Sequence, residues 1–357
     1  MEIRSLALTD FRCHASVRMS FGVTPGSGIA IVGDNATGKT SLLEAIYLLS
    51  RGLSFRGSSP TDVIRHDCDH ALVVGEFDRL GEVTRVAVQR ERKQLQARLG
   101  PRRDASVLDL ARALPVQVLD PRAHRLIDEG PVHRRRLLDW GVFHVEQSFI
   151  QDWRQFQRLL RQRNAACRQR DVTQLRVWNP AYVEYSRRID AARQRHLEQI
   201  TGLWAEHVNA LIGADHSAKI HYRAGWPKGV ALEEVLASVE QRELDAGHSV
   251  VGPHRADIRF QLDGRQVRHQ ASRGQQKALV LALLLAQVEV VSIQLGDPPI
   301  LLVDDFGAEW GASMRARAVQ QLNDSPVQWI STWLDQPEST LAVGQMFHVE
   351  HFGGAAP

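Results

Sequence analysis

Gly33-Asp34-Asn35-Ala36-Thr37-Gly38-Lys39-Thr40 stands between an apolar β-type run, Ile29-Ala30-Ile31-Val32, and an apolar helical run from Ser41 to Leu49. Its spacing is G-x-x-x-x-G-K-[ST], and strand–loop–helix is the setting in which that pattern binds phosphate. Gly33 and Gly38 admit backbone angles that a Cβ forbids, so successive N–H groups can turn inward around an anion. Lys39 can reach β- and γ-phosphates, and the Thr40 hydroxyl can ligate Mg²⁺. The helix that opens at Ser41 adds its N-terminal partial charge to the same anion. Residues 33–41 are therefore expected to bind ATP.

The matching second half lies nearer the C-terminus. Ile300-Leu301-Leu302-Val303 reads as a buried parallel strand, and Asp304-Asp305 follows it directly. A parallel strand delivers such carboxylates to the sheet edge that also carries the phosphate loop. Asp304 is expected to hold Mg²⁺ through water, and Asp305 to orient or deprotonate an attacking water. Upstream, Ala271-Ser272-Arg273-Gly274-Gln275-Gln276-Lys277 precedes another helix. Ser272 can cap it, Gly274 allows close backbone approach, and the exposed N–H groups form an anion site.

Between these halves the pattern changes. The N-terminal part is α/β, with strand-like runs at Ile3–Leu8, Ala71–Phe77 and Thr84–Gln89 besides Ile29–Val32. From Pro131 to Gly213 apolar residues recur at three- and four-residue steps, with arginines on the other face. Asn179 and Pro180 predict the cap and first turn of a second long helix, which Gly213 can end. Two helices of roughly 30 residues, joined near Asp171 to Trp178, would form an antiparallel arm roughly 45–50 Å long. After Gly252 the α/β pattern returns. Asp263-Gly264 predicts a hairpin turn between Ile258–Leu262 and Arg265–His269, and Ala278–Val291 predicts a helix. The expected architecture is α/β, one nucleotide-binding domain built from both chain ends and interrupted by a helical arm. Its expected parts are residues 1–118, the arm at 119–248, and 249–357.

At 357 residues and 43% hydrophobic the chain has material for more than one domain. No run approaches the roughly 20 apolar residues of a membrane span, the longest being Ala278 to Ala286. Cys13, Cys68 and Cys167 have no metal spacing and suit a reducing compartment, so a cytoplasmic protein without a membrane is expected. The net charge of +3 is unevenly spread. Arg122 to Arg195 holds 16 arginines against 8 acids, whereas Ile300 onward holds two against seven. The first block can meet nucleic acid, the second a metal or partner.

A phosphate loop, then S-x-G-Q-x-K before a helix, then an apolar strand with a carboxylate pair, resembles the ABC-type ATPase head. Further segments resemble the RecF family of recombination mediators. They include Leu8-Thr9-Asp10-Phe11-Arg12, Ser54-Phe55-Arg56, Gly252-Pro253-His254-Arg255, and Arg134-Arg135-Arg136 with Leu137-Leu138-Asp139-Trp140-Gly141. This resemblance implies an ATP-dependent homodimer in which Ser272, Arg273, Gly274 and Gln275 of one subunit meet ATP bound by the other. It implies a weak ATPase acting on double-stranded DNA and at single-/double-strand junctions, with RecR as partner and RecO and RecA in the pathway. It places Arg12 at the nucleotide phosphates and Arg134, Arg135 and Arg136 in a structural or DNA-facing role.

Four positions depart from the wider ATPase pattern. Ala36 stands where such loops carry glycine, which calls for an ordinary backbone angle there. Asp305 replaces the glutamate of transporters, and Thr332 stands where they have a sensor histidine. Ala308-Glu309-Trp310-Gly311 replaces Ser-Glu-Leu-Asp. Together with the arginine-rich arm, these departures separate the chain from the alternative of a transport ATPase subunit. His144 and His254 are expected to be buried hydrogen-bonding residues.

Overall fold

The computed structural model describes residues 1–22, 28–57, 59–213, 216–338 and 341–349. They fall into two compact units. The first, the head, holds Met1–Ala123, Ala210–Ile212 and the chain from Lys277 onward; the second holds His124–Asn209 and Gly213–Gln276.

In chain order the strands are β1 (Glu2–Phe11), β2 (His14–Ser20), β3 (Gly28–Val32), β4 (His70–Arg79), β5 (Glu82–Glu91), β6 (Leu95–Leu99), β7 (Val116–Leu119), β8 (Ala218–Arg223), β9 (Asp257–Leu262), β10 (Arg265–Gln266), β11 (Ile300–Val303), β12 (Gln328–Trp333) and β13 (Val343–His348). The α-helices follow the same numbering. They are α1 (Lys39–Arg51), α2 (Val107–Ala113), α3 (Arg125–Asp128), α4 (Pro131–Val145), α5 (Phe149–Gln169), α6 (Val172–Ile212), α7 (Leu232–Ala246), α8 (Val267–Gln270), α9 (Arg273–Leu295) and α10 (Ala312–Asp324).

The head contains two sheets. One is antiparallel, in the order β2-β1-β4-β5-β6, and β4 alternates buried and half-buried residues as a strand with one face on a core must. The other runs β13-β3-β12-β11-β7, and its pairings are parallel. Every residue of β3, β11 and β12 is buried, which explains the unbroken apolar or small-residue character of β3 and β11, while in β12 the buried Gln328 side chain is satisfied by the Ile3 backbone. Register then does the positioning. Val32 pairs with Trp333 and Val303 with Ser331, so β3 and β12 end together and β11 ends two residues earlier, at the same edge of the sheet. The residues that follow each strand meet there.

In the second unit, the expected helix pair is differently divided. The first helix is broken at Glu146–Ser148 into α4 and α5. The second begins at Val172, where the Asp171 carboxylate accepts the Gln174 N–H, and Pro180 lies inside it. Pro180 costs α6 a backbone hydrogen bond, yet apolar residues are buried on both sides of it, Leu175 before and Tyr182, Ile189, Ile200 and Trp204 after, and hold the helix continuous. At 41 residues α6 is about 60 Å long, more than the expected arm.

The C-terminal boundary also differs from the expected 249. β8 pairs with β9, Tyr222 opposite Ile258, in a three-stranded sheet β10-β9-β8 that keeps residues up to Gln276 with the helices. The Asp263-Gly264 turn forms, but β10 stops at Gln266 and the chain turns helical at Val267. Among the described residues one helix, α9, is long and apolar enough to cross a membrane, with mean hydropathy 2.1, although the sequence offered only a short apolar run. Its apolar stretch is 67% buried, as a core helix that is apolar all round must be.

Candidate nucleotide site

The loop after β3 turns into α1 through Gly38, whose φ of 95° lies in the left-handed region. A Cβ there would sit 2.6 Å from the Cys13 Sγ and 2.5 Å from His14 Nε2, so glycine is required by packing as well as by angle. Ala36 was expected to need only an ordinary angle, and the structure corrects this. Its φ is 65°, so the loop holds the glycine-like turn with an alanine, at a cost of about 1 kcal/mol. The Lys39 ammonium donates to the carbonyls of Gly33 and Asp34, both at 2.6 Å. Burial lowers its pKa, while Asp305, Asp304 and Asp34 pull the other way. Asp34 and Asn35 lie on the same loop, and the Thr37 hydroxyl donates to the Asp34 carbonyl at 2.9 Å, bracing it. Ser41 is buried in the first turn of α1.

Strand register brings the second half of the site to this loop. Asp304 Oδ1 accepts from the Thr40 hydroxyl and from the Thr332 hydroxyl, each at 2.8 Å. Thr332 Oγ1 in turn accepts the Asp305 N–H at 2.7 Å. Burial raises the pKa of Asp304, which is 4% exposed, and the two hydroxyls partly offset that rise. Asp305 is exposed and has a φ of 54°, a left-handed angle that aspartate tolerates better than most residues. Lys39, Thr40, Asp304, Asp305 and Thr332 line one cleft of about 590 Å³. The walls come from the head unit alone.

A hydroxyl and a carboxylate converging on one cleft suit a hard cation that keeps waters and takes its remaining ligands from phosphate. Among the described residues there is no group of three or more His, Cys, Asp or Glu side chains that could hold a metal by themselves. The donor set present therefore fits a nucleotide-bound Mg²⁺ and not a dedicated protein cage.

Arg12 sits elsewhere than expected. Its guanidinium forms a two-pronged ion pair with the fully buried Glu44 of α1 and donates to the Asp62 carbonyl at 2.6 Å. A buried carboxylate is the stronger claim on that cation, and Arg12 does not line the cleft. Arg56 and Arg122 line it instead, together with Cys13 and Asp120. Arg122 is held by the Phe55 and Arg56 carbonyls and by Asp120. The sequence marks Arg56 only as part of a family-like segment, without a role, and does not single out Arg122, which flanks no recognisable spacing. Cys13 has its pKa lowered, chiefly by a hydrogen bond with His14.

The start of α9 is built as the sequence predicts. The Ser272 N–H donates to Gln275 Oε1 at 3.0 Å, and the Gln275 N–H donates to Ser272 Oγ at 3.3 Å, a reciprocal cap. Gly274 lies in this first turn, and Arg273 pairs with Asp128 at 3.0 Å. Lys277, the last residue of that motif, was not expected to act at all. It is 1% exposed, donates to the carbonyls of Asp305 and Ala308 at 2.8 and 3.0 Å, and lies 4.7 Å from the Trp310 ring centre. The tryptophan of the departing Ala308-Glu309-Trp310-Gly311 segment is thus the surface on which this cation packs, and Lys277 fastens the turn that carries Asp305.

Of the arginine triplet, two members are internal braces. Arg134 is 8% exposed, pairs with Asp257 at 2.7 Å and donates to the Leu126 and Glu129 carbonyls, both at 2.8 Å, closing the end of α3. Arg135 donates to the Ala256 carbonyl at 2.7 Å, and burial lowers its pKa. Only Arg136 is exposed. His254 hydrogen-bonds the Ser249 carbonyl at 3.0 Å, and burial takes its pKa down to about 4. His144 is buried against the Trp140 ring.

A phosphate loop, a strand-end carboxylate pair and a capped helix on this parallel sheet define an ABC-type ATPase head of the SMC-like class with a helical insert. The model of the RecF/RecN/SMC N-terminal domain matches residues 2–351. The chain is 39% identical to the DNA replication and repair protein RecF of Thioalkalivibrio sulfidiphilus, over 98% of each chain. It is 36% identical to RecF of Hydrogenovibrio crunogenus, over 93% of this chain and 91% of that one. A solved structure of the recombination mediator RecF with ATP has the same fold, with a TM-score of 0.84 at 23% identity over 98% of this chain and 95% of that one. An Smc head from Pyrococcus furiosus is more distant, at a TM-score of 0.58 over 93% of this chain and 89% of that one, with 15% identity. The chain belongs to the RecF family.

Proposed function

We propose that this protein is an ATP-controlled switch of recombinational DNA repair, a cytoplasmic protein that dimerises on DNA when it binds nucleotide. The observation that carries this reading is the convergence of Lys39, Thr40, Thr332 and the two aspartates on one cleft at the end of a parallel sheet. The inward N–H groups of residues 33–41 bind the phosphates, and Lys39 leaves its two loop carbonyls for them. Thr40 and Asp304 would hold Mg²⁺, which when bound neutralises charge on the terminal phosphates. Asp305 accepts the proton of an attacking water or orients it, and Thr332 and Lys277 hold its backbone in place. Hydrolysis on such a shortened carboxylate is slow, which suits a switch.

The capped turn at Ser272–Gln275 meets the nucleotide of a second copy, so that ATP adds charge-assisted hydrogen bonds from both subunits and shifts the monomer–dimer equilibrium. DNA is bound as duplex and at single-/double-strand junctions. RecR is the direct partner, and RecO and RecA act in the same pathway; family membership supports these assignments.

Sedimentation with ATP and Mg²⁺ tests the switch. Wild type is expected to double in mass, and Lys39→Ala to remain a monomer with nucleotide affinity reduced about a hundredfold, the worth of one or two charged hydrogen bonds. A wild-type mass that ignores ATP would remove the mechanism.

A further inference from the structure

Arginines of the helical unit fall into two populations. Those on α6 are neutralised: Arg176 pairs with Glu240, Arg187 with Glu233, Arg188 with Glu184 and Asp152, and Arg195 with Glu146. On α5 the exposed Arg154, Arg158, Arg161 and Arg168 make no ion pair among the described residues. Their spacing of four, three and seven residues puts them on one face of the helix. The positions around them are glutamines, Gln151, Gln155, Gln157, Gln162 and Gln169, and Asp152 is the one acid in α5, already paired with Arg188. A solvated surface helix ordinarily alternates charge sign to gain such pairs. This one instead presents cations and amide donors together over about 21 Å.

We infer that the Arg154–Arg168 face of α5 is the surface that tracks the phosphate backbone of duplex DNA. Measured along the duplex axis, the phosphates of one strand recur about every 3.4 Å, so a length of duplex equal to this face carries roughly six of them on each strand. Guanidinium groups match phosphate oxygens in pairs, and glutamine side chains supply neutral donors to phosphate and sugar between them. No base-reading element is required, in keeping with recognition of DNA by form and charge. This assignment rests on the DNA-binding reading above and moves the contact away from Arg134 and Arg135, whose guanidinium groups are already committed.

The test is a salt titration of duplex binding by the full chain. The variant combines Arg154→Gln, Arg158→Gln, Arg161→Gln and Arg168→Gln, and Arg176→Gln with Arg187→Gln serves as the control. Each phosphate contact contributes about 0.9 to the slope of log K against log salt. The quadruple variant is expected to lose up to about 3.6 units of slope and at least a hundredfold in affinity at low salt, while ATP-linked sedimentation is unchanged. The control pair is expected to keep the wild-type slope. Wild-type binding with an unaltered slope in the quadruple variant would overturn this surface alone. Absence of duplex binding by wild type would overturn the DNA reading and this inference with it. Loss of polyglutamate binding with duplex binding retained would reassign the face to an acidic protein and equally overturn it.

Discussion

At the cleft of the head the polar groups are aimed by the backbone: Asp304 by the register of β11, Thr332 by β12, and Asp305 by a left-handed turn. In the helical unit ionised groups are many, and most cancel one another across helices, as Arg163 does with Glu243 and Arg193 with Asp139. The first arrangement spends backbone strain to leave charge available. The second removes charge from availability and gains cohesion. An arginine-rich composition therefore says little about function until its partners are known, whereas a carboxylate at the end of a buried parallel strand says a great deal.

The contrast is sharpest where an internal pair is broken. Arg163 and Glu243 are 1% and 0% exposed, and the guanidinium also lies 4.5 Å from the Tyr182 ring centre. Glu243→Ala strands a buried cation, so urea unfolding is expected to show a loss of about 3–5 kcal/mol. A loss below about 1 kcal/mol would mean that the pair is not cohesive and that the two units handle charge alike. The next effect depends on pH. Burial takes the pKa of His196, 1% exposed, down to about 4 from an ordinary 6.5. The unfolded chain then binds the proton more readily. Stability is full above pH 6.5 and falls by about 3 kcal/mol as the pH drops toward 4. Urea midpoints at pH 7 and 4.5 are expected to diverge less in His196→Leu than in wild type. Smallest is Ala36→Gly in the head. Relief of the left-handed turn, about 1 kcal/mol, outweighs most of the added chain entropy. The free energy of unfolding is expected to rise by at most about 0.6 kcal/mol; a fall would show that the angle carries no strain.

Legibility in the sequence divided along the same line. The site could be read wherever one short segment fixes both conformation and chemistry, as in 33–40 and 300–305. Pro180 misled because its cost is local while the stripe that overrides it runs the length of α6. The role of Lys277 was hidden, since its partners are carbonyls contributed by a turn after another strand. For Arg134 and Arg135 the sequence left a structural and a DNA-facing role both open, because Asp257 and Ala256 lie more than a hundred residues onward. The unpaired face of α5 was hidden within the block of arginines for the same reason: only the acids opposite α6 tell the two populations apart.

The left-handed angle of Asp305 decides how its chemistry should be probed. Alanine there would change shape and charge together, since most side chains resist that conformation. Asparagine accepts it nearly as well as aspartate and differs only in electrical character. The amide substitution is consequently the clean instrument at this position, and a dead alanine variant on its own would speak first about the bend in the chain.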